Sequence, residues 1–366
     1  MTSCGIAATV TTAVFVMMLV AGINKAFVSS GDPLNVLVLR RGTSSELNGF
    51  AKEKVPLLRE LPGIAKDSHG EPLVSPEWIV LVGVIRKDGG GENSLVLRGM
   101  GLDGVEIRPH AKLIAGRWFG PGQREVAVSR SVASRYRDSN LGDWLDFGNG
   151  AWKVTGIFEA GGTAADSEIW GDLSQVAQQF NRQKSIGSMY LRAVDATSAA
   201  ALKQRVSDDQ RLGLQGMFET EYYAEQTKSG DSIRVVGYIV AFTMAIGSIF
   251  AAVNTMYAAV AYRSREIAIL RVLGFPRSSI VTSFLFESLL LALLGACIGI
   301  GLMLPFNGVP IGIEDQVSFS EFIFQLRITP QVVAIAMSFA ISMGLIGGVA
   351  PASAAARREI LATLNE

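Results

Sequence analysis

Arg265–Ser279 reads REIAILRVLGFPRSS and lies between two long apolar runs. Ser264, Ala268 and Arg271 fall along one helical face, and Ile269, Leu270 and Leu273 fall along the other. Gly274 can take the left-handed conformation that ends a helix. Pro276 disfavours helical geometry at Phe275 and prevents continuation. The stretch predicts a short amphipathic helix on the inner membrane surface, fixed at both ends, with side chains offered to the cytoplasm. A plain linker needs no such ending, whereas docking to a partner does.

Outward from this stretch, the chain has 366 residues, 49% of them hydrophobic and 18% charged, with formal net charge zero. That is too apolar for an ordinary soluble chain and too charged for one wholly within lipid. The neutral balance gives no reason to expect nucleic acid as a partner. Four runs can cross a membrane: Met1–Asn24, Val235–Tyr262, Ser278–Ile313 and Ile328–Ala356. Each holds at least the roughly 20 apolar residues that a helix needs to cross the hydrocarbon layer. In lipid the backbone must satisfy its own hydrogen bonds, so runs of this length are helices. The expected spans are 1–24, about 235–262, about 280–304 and about 330–352, with the short helix at 263–275. Residues 25–233 form a water-exposed domain, and 234–366 form the membrane part. The first run lacks the basic n-region and short core of a signal peptide, and reads as a retained span.

The loop at 263–277 carries Arg263, Arg265, Arg271 and Arg277 against Glu266. After the third run come Glu314, Asp315 and Glu321, against Arg327, and Arg357 and Arg358 follow the fourth. The positive-inside rule places the basic loop and both termini in the cytoplasm, with 25–233 outside. Cys4 and Cys297 both fall in spans, so no disulfide is expected in the outer domain.

Within that domain, Asn35–Gly42, Asn93–Met100, Glu125–Ser129 and Ser188–Arg192 read as strands. A helix follows Glu125–Ser129 through Tyr136. Trp144–Ala160 reads as a hairpin turning at Gly148-Asn149-Gly150. Helices are expected at Ile169–Phe180 and Thr197–Ser207, giving a mixed α+β domain between helices one and two. Groups for catalysis are few. His69 and His110 are isolated and lack metal-ligand spacing. Gly89-Gly90-Gly91 reads as a hairpin tip, and Asp166 and Glu168 as caps of the following helix rather than an acid pair. No GxxxxGK[ST] phosphate loop occurs, so the chain is expected neither to bind ATP nor to act as an enzyme by itself. No catalytic, cofactor or metal residue is assigned.

The spans carry small residues at helical spacing: Gly237, Ala241 and Ala245; Gly295 and Gly299; Ala336, Ala340, Gly344 and Gly348. Such ladders let helix backbones approach closely. Glu287 is a carboxylate about two turns inside the third span, at a cost of roughly 2.5–3.5 kcal/mol if it sat at the centre. Its readings are an interhelical or intersubunit contact, with Asn254 as the uncharged partner, or solvation at the interface.

REIAILRVLGF, the following SFLFESLLLALLG and the ending GLIGGVAPASAAARREILATL are together similar to the signature of FtsX-like, macrolide-exporter-type ABC permeases. The order of one span, a large outer domain and three spans also resembles that family. The resemblance implies a dimer with a second copy or a homologue in the inner membrane, and a cytoplasmic ABC ATPase on a separate chain that binds ATP and magnesium. It identifies 263–275 as the ATPase-coupling helix, which carries over to Arg265, Glu266, Ile267, Leu270, Arg271 and Gly274. It further implies a periplasmic adaptor (membrane fusion) protein and an outer-membrane channel. The expected work is export or extraction of an amphiphile, or activation of a periplasmic partner such as a cell-wall hydrolase. Family members usually begin with a basic amphipathic helix before the first span, whereas here the first run already starts at Met1.

Overall fold

A computed structural model describes residues 2–148, 150–226, 231–314 and 321–357. Asn149, Asp315 and the tail from Arg358 lie outside the described residues, as do the side chains of Arg234, Ala241, Glu314 and Glu321. The chain opens with helix α1 (Thr2–Val28), then β1 (Asn35–Arg40), β2 (Phe50–Ala51), α2 (Val55–Arg59) and β3 (Val74–Ile85). Next come β4 (Glu92–Met100), α3 (Leu102–Glu106), β5 (Lys112–Gly116), β6 (Glu125–Ser129), α4 (Arg130–Arg135), β7 (Trp144–Phe147) and β8 (Gly150–Glu159). A 3-10 turn at Ala164–Ser167 leads into β9 (Glu168–Asp172), α5 (Leu173–Gln179), β10 (Ser185–Ile186), β11 (Ser188–Arg192) and α6 (Ala196–Asp208). β12 (Leu214–Phe218) and α7 (Glu219–Gln226) precede α8 (Asp231–Tyr262), α9 (Ser264–Val272) and α10 (Arg277–Met303). A hairpin of β13 (Pro310–Glu314) and β14 (Glu321–Gln325) precedes α11 (Pro330–Arg357).

Two units result, one of 1–22, 231–309 and 326–366, the other of 23–230 and 310–325. In the second, the outer unit, a mixed sheet runs β12-β1-β11-β3-β4-β9-β6-β8-β5, with β7 on β8. The β4–β9 and β6–β8 pairs are parallel. Trp78, Val82 and Val84 of β3 alternate onto one face and pack with Leu95, Leu97, Val126, Val128, Trp152 and Ile169. Helix α5 seats against β4 at Gly99, where a Cβ would come within 2.7 Å of Val176 Cβ. A second core joins Val36, Val38 and Leu191 to Leu202 and Val206 of α6, whose first turn is capped by Asp195 through Ser198 N at 2.7 Å.

The structure corrects several sequence expectations. The first four residues of the expected helix Ile169–Phe180 belong instead to a strand, Glu168–Asp172, whose five consecutive buried residues pair with β4 and β6 on either side. The helix begins only at Leu173, and Asp172 is its cap, accepting from Ser174 N at 3.1 Å and Gln175 N at 3.2 Å. Neither Asp166 nor Glu168 caps it. Asp166 accepts from Ala160 N at 2.7 Å and Gly162 N at 2.6 Å, closing the turn after β8. Glu168 is buried against Arg98. The third run does not stay helical to Ile313: α10 ends at Met303, and Gly308, with φ at 87°, leads into β13. The segment expected as a plain acidic loop is a hairpin that belongs to the outer unit, with Ile323 buried in the Trp78–Trp152 core. His69 and His110 are exposed on loops, and Gly89–Gly91 form the β3–β4 tip.

Four helices in the described residues are long and apolar enough to cross a membrane: Cys4–Phe27, Val235–Tyr262, Arg277–Phe306 and Pro330–Arg357. Small residues let them meet. A Cβ on Gly299 would lie 2.8 Å from Ala7 O, and one on Gly344 would lie 2.6 Å from Ala292 Cβ. At Gly348 it would strike Ser288 Oγ, and at Gly347 it would reach Ala252 Cβ at 3.0 Å. Ala336, Ala340 and Gly295 are buried as well. Ser288 Oγ donates to Gly344 O at 2.9 Å, a direct hydrogen bond from α10 to α11. Gly348→Leu is expected to destabilise by about 1–3 kcal/mol through forced separation of α10 and α11. Gly301→Leu, with open space where its Cβ would sit, serves as the unaffected control. Size-exclusion profiles after heating in detergent would read the difference, and equal midpoints for the two variants would remove the packing role.

Candidate functional site

The short helix α9 follows α8 after one residue, Arg263. Its end is a Schellman motif. Phe275 N donates to Leu270 O at 3.1 Å and Gly274 N donates to Arg271 O at 3.2 Å, with Gly274 at φ 92°. Pro276 then caps the start of α10 in extended geometry. The reversal between helices is thus held by backbone geometry that a side chain at 274 would strain.

The side chains divide by depth. Ile267 and Ala268 are buried, and Ile267 packs in a cluster with Met256 and Val260 of α8, Ile280 and Phe284 of α10, and Ala352 and Ala355 of α11. Ile267, expected among the residues offered to a partner, is therefore an inward anchor, and its burial at a three-helix junction is the reason. Arg271 also turns back, with Nη1 donating to Phe275 O at 3.1 Å, and so braces the turn that follows its helix. Outward stand Arg265, Glu266, Ile269, Leu270, Val272, Leu273 and Phe275. The exposed set mixes an ion pair's worth of charge with five apolar side chains, a surface suited to a protein groove.

Glu287 pairs with Arg263, Nη1 to Oε2 at 3.2 Å, and so joins the end of α8 to the third span. Asn254, expected as its partner, is exposed and lies nine residues before Arg263, about 13.5 Å along a helix. An arginine at the end of a span can reach back along it with its long stem, which the choice of a partner from within the spans overlooked. Both groups are partly exposed, so the pair contributes on the order of 0.5 kcal/mol and acts chiefly by fixing geometry.

A second constellation lies inside the outer unit. Arg98 of β4 donates to Glu168 Oε1 at 2.7 Å, Glu77 Oε2 at 2.8 Å and Glu46 Oε1 at 3.1 Å, all of them buried. Arg108 adds two bonds to Glu77, at 2.7 and 2.9 Å, and lies 4.5 Å from the Tyr190 ring centre. Burial alone would raise the Glu46 carboxyl, but the Arg98 charge and hydrogen bonds hold it below its usual range. Arg98 is held protonated: burial opposes the charge, and Glu168 and Glu46 prevail. The sequence signal was a lone Arg in SLVLRGM and a lone Glu in SPEWIV, each charged residue set within an apolar strand.

Beside this network, Glu219 at the start of α7 is buried and accepts from Asp32 N at 2.9 Å and Asn35 Nδ2 at 2.8 Å. It lines a cavity of about 20 Å³, room for one water, with Arg108, His110, Thr163 and Tyr223. Burial pushes its carboxyl up to about 7, against the lowering influence of Arg108. A carboxyl whose folded pKa exceeds its unfolded value stabilises fully below about 4.5 and loses that contribution as pH rises through about 7. The full chain is therefore expected to lose about 3 kcal/mol between pH 4.5 and 7.5 at this group, and Glu219→Gln to flatten that slope. Thermal midpoints across the range would test it, and an unchanged slope in the variant would refute it.

Residues 1–209 match the MacB-like periplasmic core domain, and residues 238–360 match the FtsX-like permease C-terminal domain. The chain belongs to the MacB/FtsX-type ABC transporter permeases. It is 28% identical over 239 residues to the macrolide export ATP-binding/permease protein MacB of Hyphomonas neptunium, covering 62% of this chain and 35% of that protein. It is 32% identical over 274 residues to the uncharacterized ABC transporter permease YknZ of Bacillus subtilis, covering 69% of this chain and 66% of that one. The match thus spans about a third of the first relative's length and just under two thirds of the second's. Among solved structures, the extracellular domain of YknZ aligns with TM-score 0.38 and 14% identity, over 50% of this chain and 99% of that one. The periplasmic region of MacB from Actinobacillus actinomycetemcomitans aligns with TM-score 0.40 and 15% identity, over 55% and 94%.

Proposed function

We propose that this permease docks a cytoplasmic ABC ATPase, carried on a separate chain, on α9 and converts its cycle into movement of the outer unit. The observation that carries this reading is α9 itself: closed by a Schellman motif, anchored inward by Ile267, with Arg265, Glu266 and Leu270 outward. A lever must be stiff where it is held and open where it is pushed, and α9 meets both conditions. The positive-inside reading puts α9 and both termini in the cytoplasm and the outer unit in the periplasm, across a cell's inner membrane. ATP and magnesium are bound by the partner ATPase. A second copy or a homologue completes the permease pair.

The work proposed is export or extraction of an amphiphile such as a lipid, lipoprotein, peptide or drug, with a periplasmic adaptor and an outer-membrane channel. Two relatives support this by their names: the macrolide export protein MacB, and the probable syringafactin export protein SyfD of Pseudomonas syringae, 26% identical over 258 residues. The close packing at Gly344 and Gly348 also suits a signalling permease that activates a periplasmic hydrolase, since it favours moving helices over a water-filled path.

A tagged full-length chain, drawn from its own cells in mild detergent, is expected to bring down an ABC ATPase. Leu270→Asp with Arg265→Glu should reduce that recovery at least about tenfold, the weight of one exposed apolar anchor and a charge reversal at an interface. Ile267→Ala should instead lower thermal stability. An adaptor among the captured proteins supports export, and a cell-wall hydrolase supports signalling. Recovery of the permease without any ATPase would overturn the coupling reading.

A further inference from the structure

The chain passes between its two units four times: after Gly22, after Gly230, after Val309 and after Gln325. Within the outer unit, the continuation of α1, helix α7 and strand β14 of the hairpin all reach one turn. Ser30, two residues beyond α1, accepts a hydrogen bond at Oγ from Ala164 N at 2.7 Å. Ala164 also packs in one cluster with Phe27 of α1 and with Tyr222 and Tyr223 of α7, the helix that leads toward α8. The two segments are themselves knitted: a Cβ on Gly31 would lie 2.7 Å from Thr220 N, so backbone meets backbone there. Three residues along the turn, Ser167 accepts from Ile323 N at 2.7 Å and donates to Ile323 O at 3.3 Å. Ile323 belongs to the hairpin whose ends continue into α10 and α11.

The turn is built to hold its shape. Asp166 clamps it through Ala160 N and Gly162 N, and Ser129 Oγ donates to Asp166 O at 2.6 Å. Ser129 in turn ends β6, an interior strand of the sheet between β9 and β8. Load applied to Ser30 or Ile323 therefore reaches the sheet through a short chain of buried hydrogen bonds.

We propose that the turn Thr163–Ser167 is the node at which the four spans deliver their movement to the outer unit, and that the Ser167–Ile323 tie carries the share of the third and fourth spans. This rests on the transmission reading above. Ser167 is thus a positioning residue, acting through the hairpin and touching no substrate. Four spans joined to one rigid turn move the outer unit as a body. With the tie cut, α10 and α11 shift while the hairpin slips past the turn.

The test uses the full chain with its co-purified ATPase in lipid nanodiscs, with Cys4 and Cys297 replaced by Ser. Spin labels on the outer unit of two copies report the distance change when nucleotide is added. Ser167→Ala is expected to reduce the nucleotide-dependent population shift about fivefold or more, the weight of one or two neutral hydrogen bonds, with the ATPase still bound. Ser167→Cys combined with Ile323→Cys separates coupling from folding: reduced, it should resemble Ser167→Ala, and oxidised, it should regain the wild-type shift in the same molecules. A wild-type-sized shift in both Ser167→Ala and the reduced double variant would overturn the node. An ATP-insensitive distance in the unmutated chain would instead overturn the transmission reading and the node with it.

Discussion

Arg98 sits where no water can neutralise it, and much of the outer unit is arranged around that fact. An isolated buried charge costs several kcal/mol, and a guanidinium cannot escape by losing its proton. Its neighbours must therefore supply the compensation. Glu77 on β3, Glu168 on β9 and Glu46 from the loop after β1 converge on it, so three adjacent strands and a loop are bound through one side chain. Fully matched networks of this kind fix which strands lie together more than they add net stability. Arg98 and Arg108 stand against Glu46, Glu77, Glu168 and Glu219, more acids than bases. Glu219, the acid with no arginine in hydrogen-bonding contact, is the one that burial pushes toward neutrality. Burial thereby places a titrating group between the segments that leave α1 and lead to α8.

At the other end of the chain the governing constraint is stiffness. A helix of nine residues is too short to be stable alone in water, so its order comes from what it packs against and how it ends. Ile267 supplies the packing, and Gly274 the ending. Arg263 and Glu287 then tie the end of α8 to α10 across α9, so α9 cannot roll without moving both spans. Each contact is modest, and their placement around one short element makes them effective.

What the sequence disclosed follows this division. Hydropathy is a property of composition along a run, so the four spans and the basic loop between the second and third could be read directly. The Schellman ending was legible too, because Gly274 and Pro276 act through their own backbones. Partners brought from far along the chain were not legible. Glu168 looked like a cap because its true neighbour, Arg98, is 70 residues away. Ile267 looked presentable because period alone does not say which apolar stripe faces the protein and which faces outward. Asn254 was chosen for Glu287 because it lies within a span, when reach from the span's end decided the matter. The hairpin at 310–325 was hidden because its first strand, with Ile311 and Ile313, continues the apolar run of the third span, so hydropathy alone did not show where the helix stops.

The node and the lever also explain one another. Packing between α10 and α11 is set by glycines at which no side chain fits, so the two helices resist sliding apart or past each other. On the proposed reading, a push on α9 displaces helices rather than reshaping the bundle, and that displacement is taken up where the chain leaves the spans. A flexible loop at 310–325 would absorb it. A hairpin with Ile323 in the Trp78–Trp152 core and its backbone bonded to Ser167 does not. The same argument runs for α1, whose continuation places Ser30 on Ala164. Stiff seams in lipid are of use to the outer unit only where the exits are stiff as well, and the turn closed by Asp166 is where those exits meet.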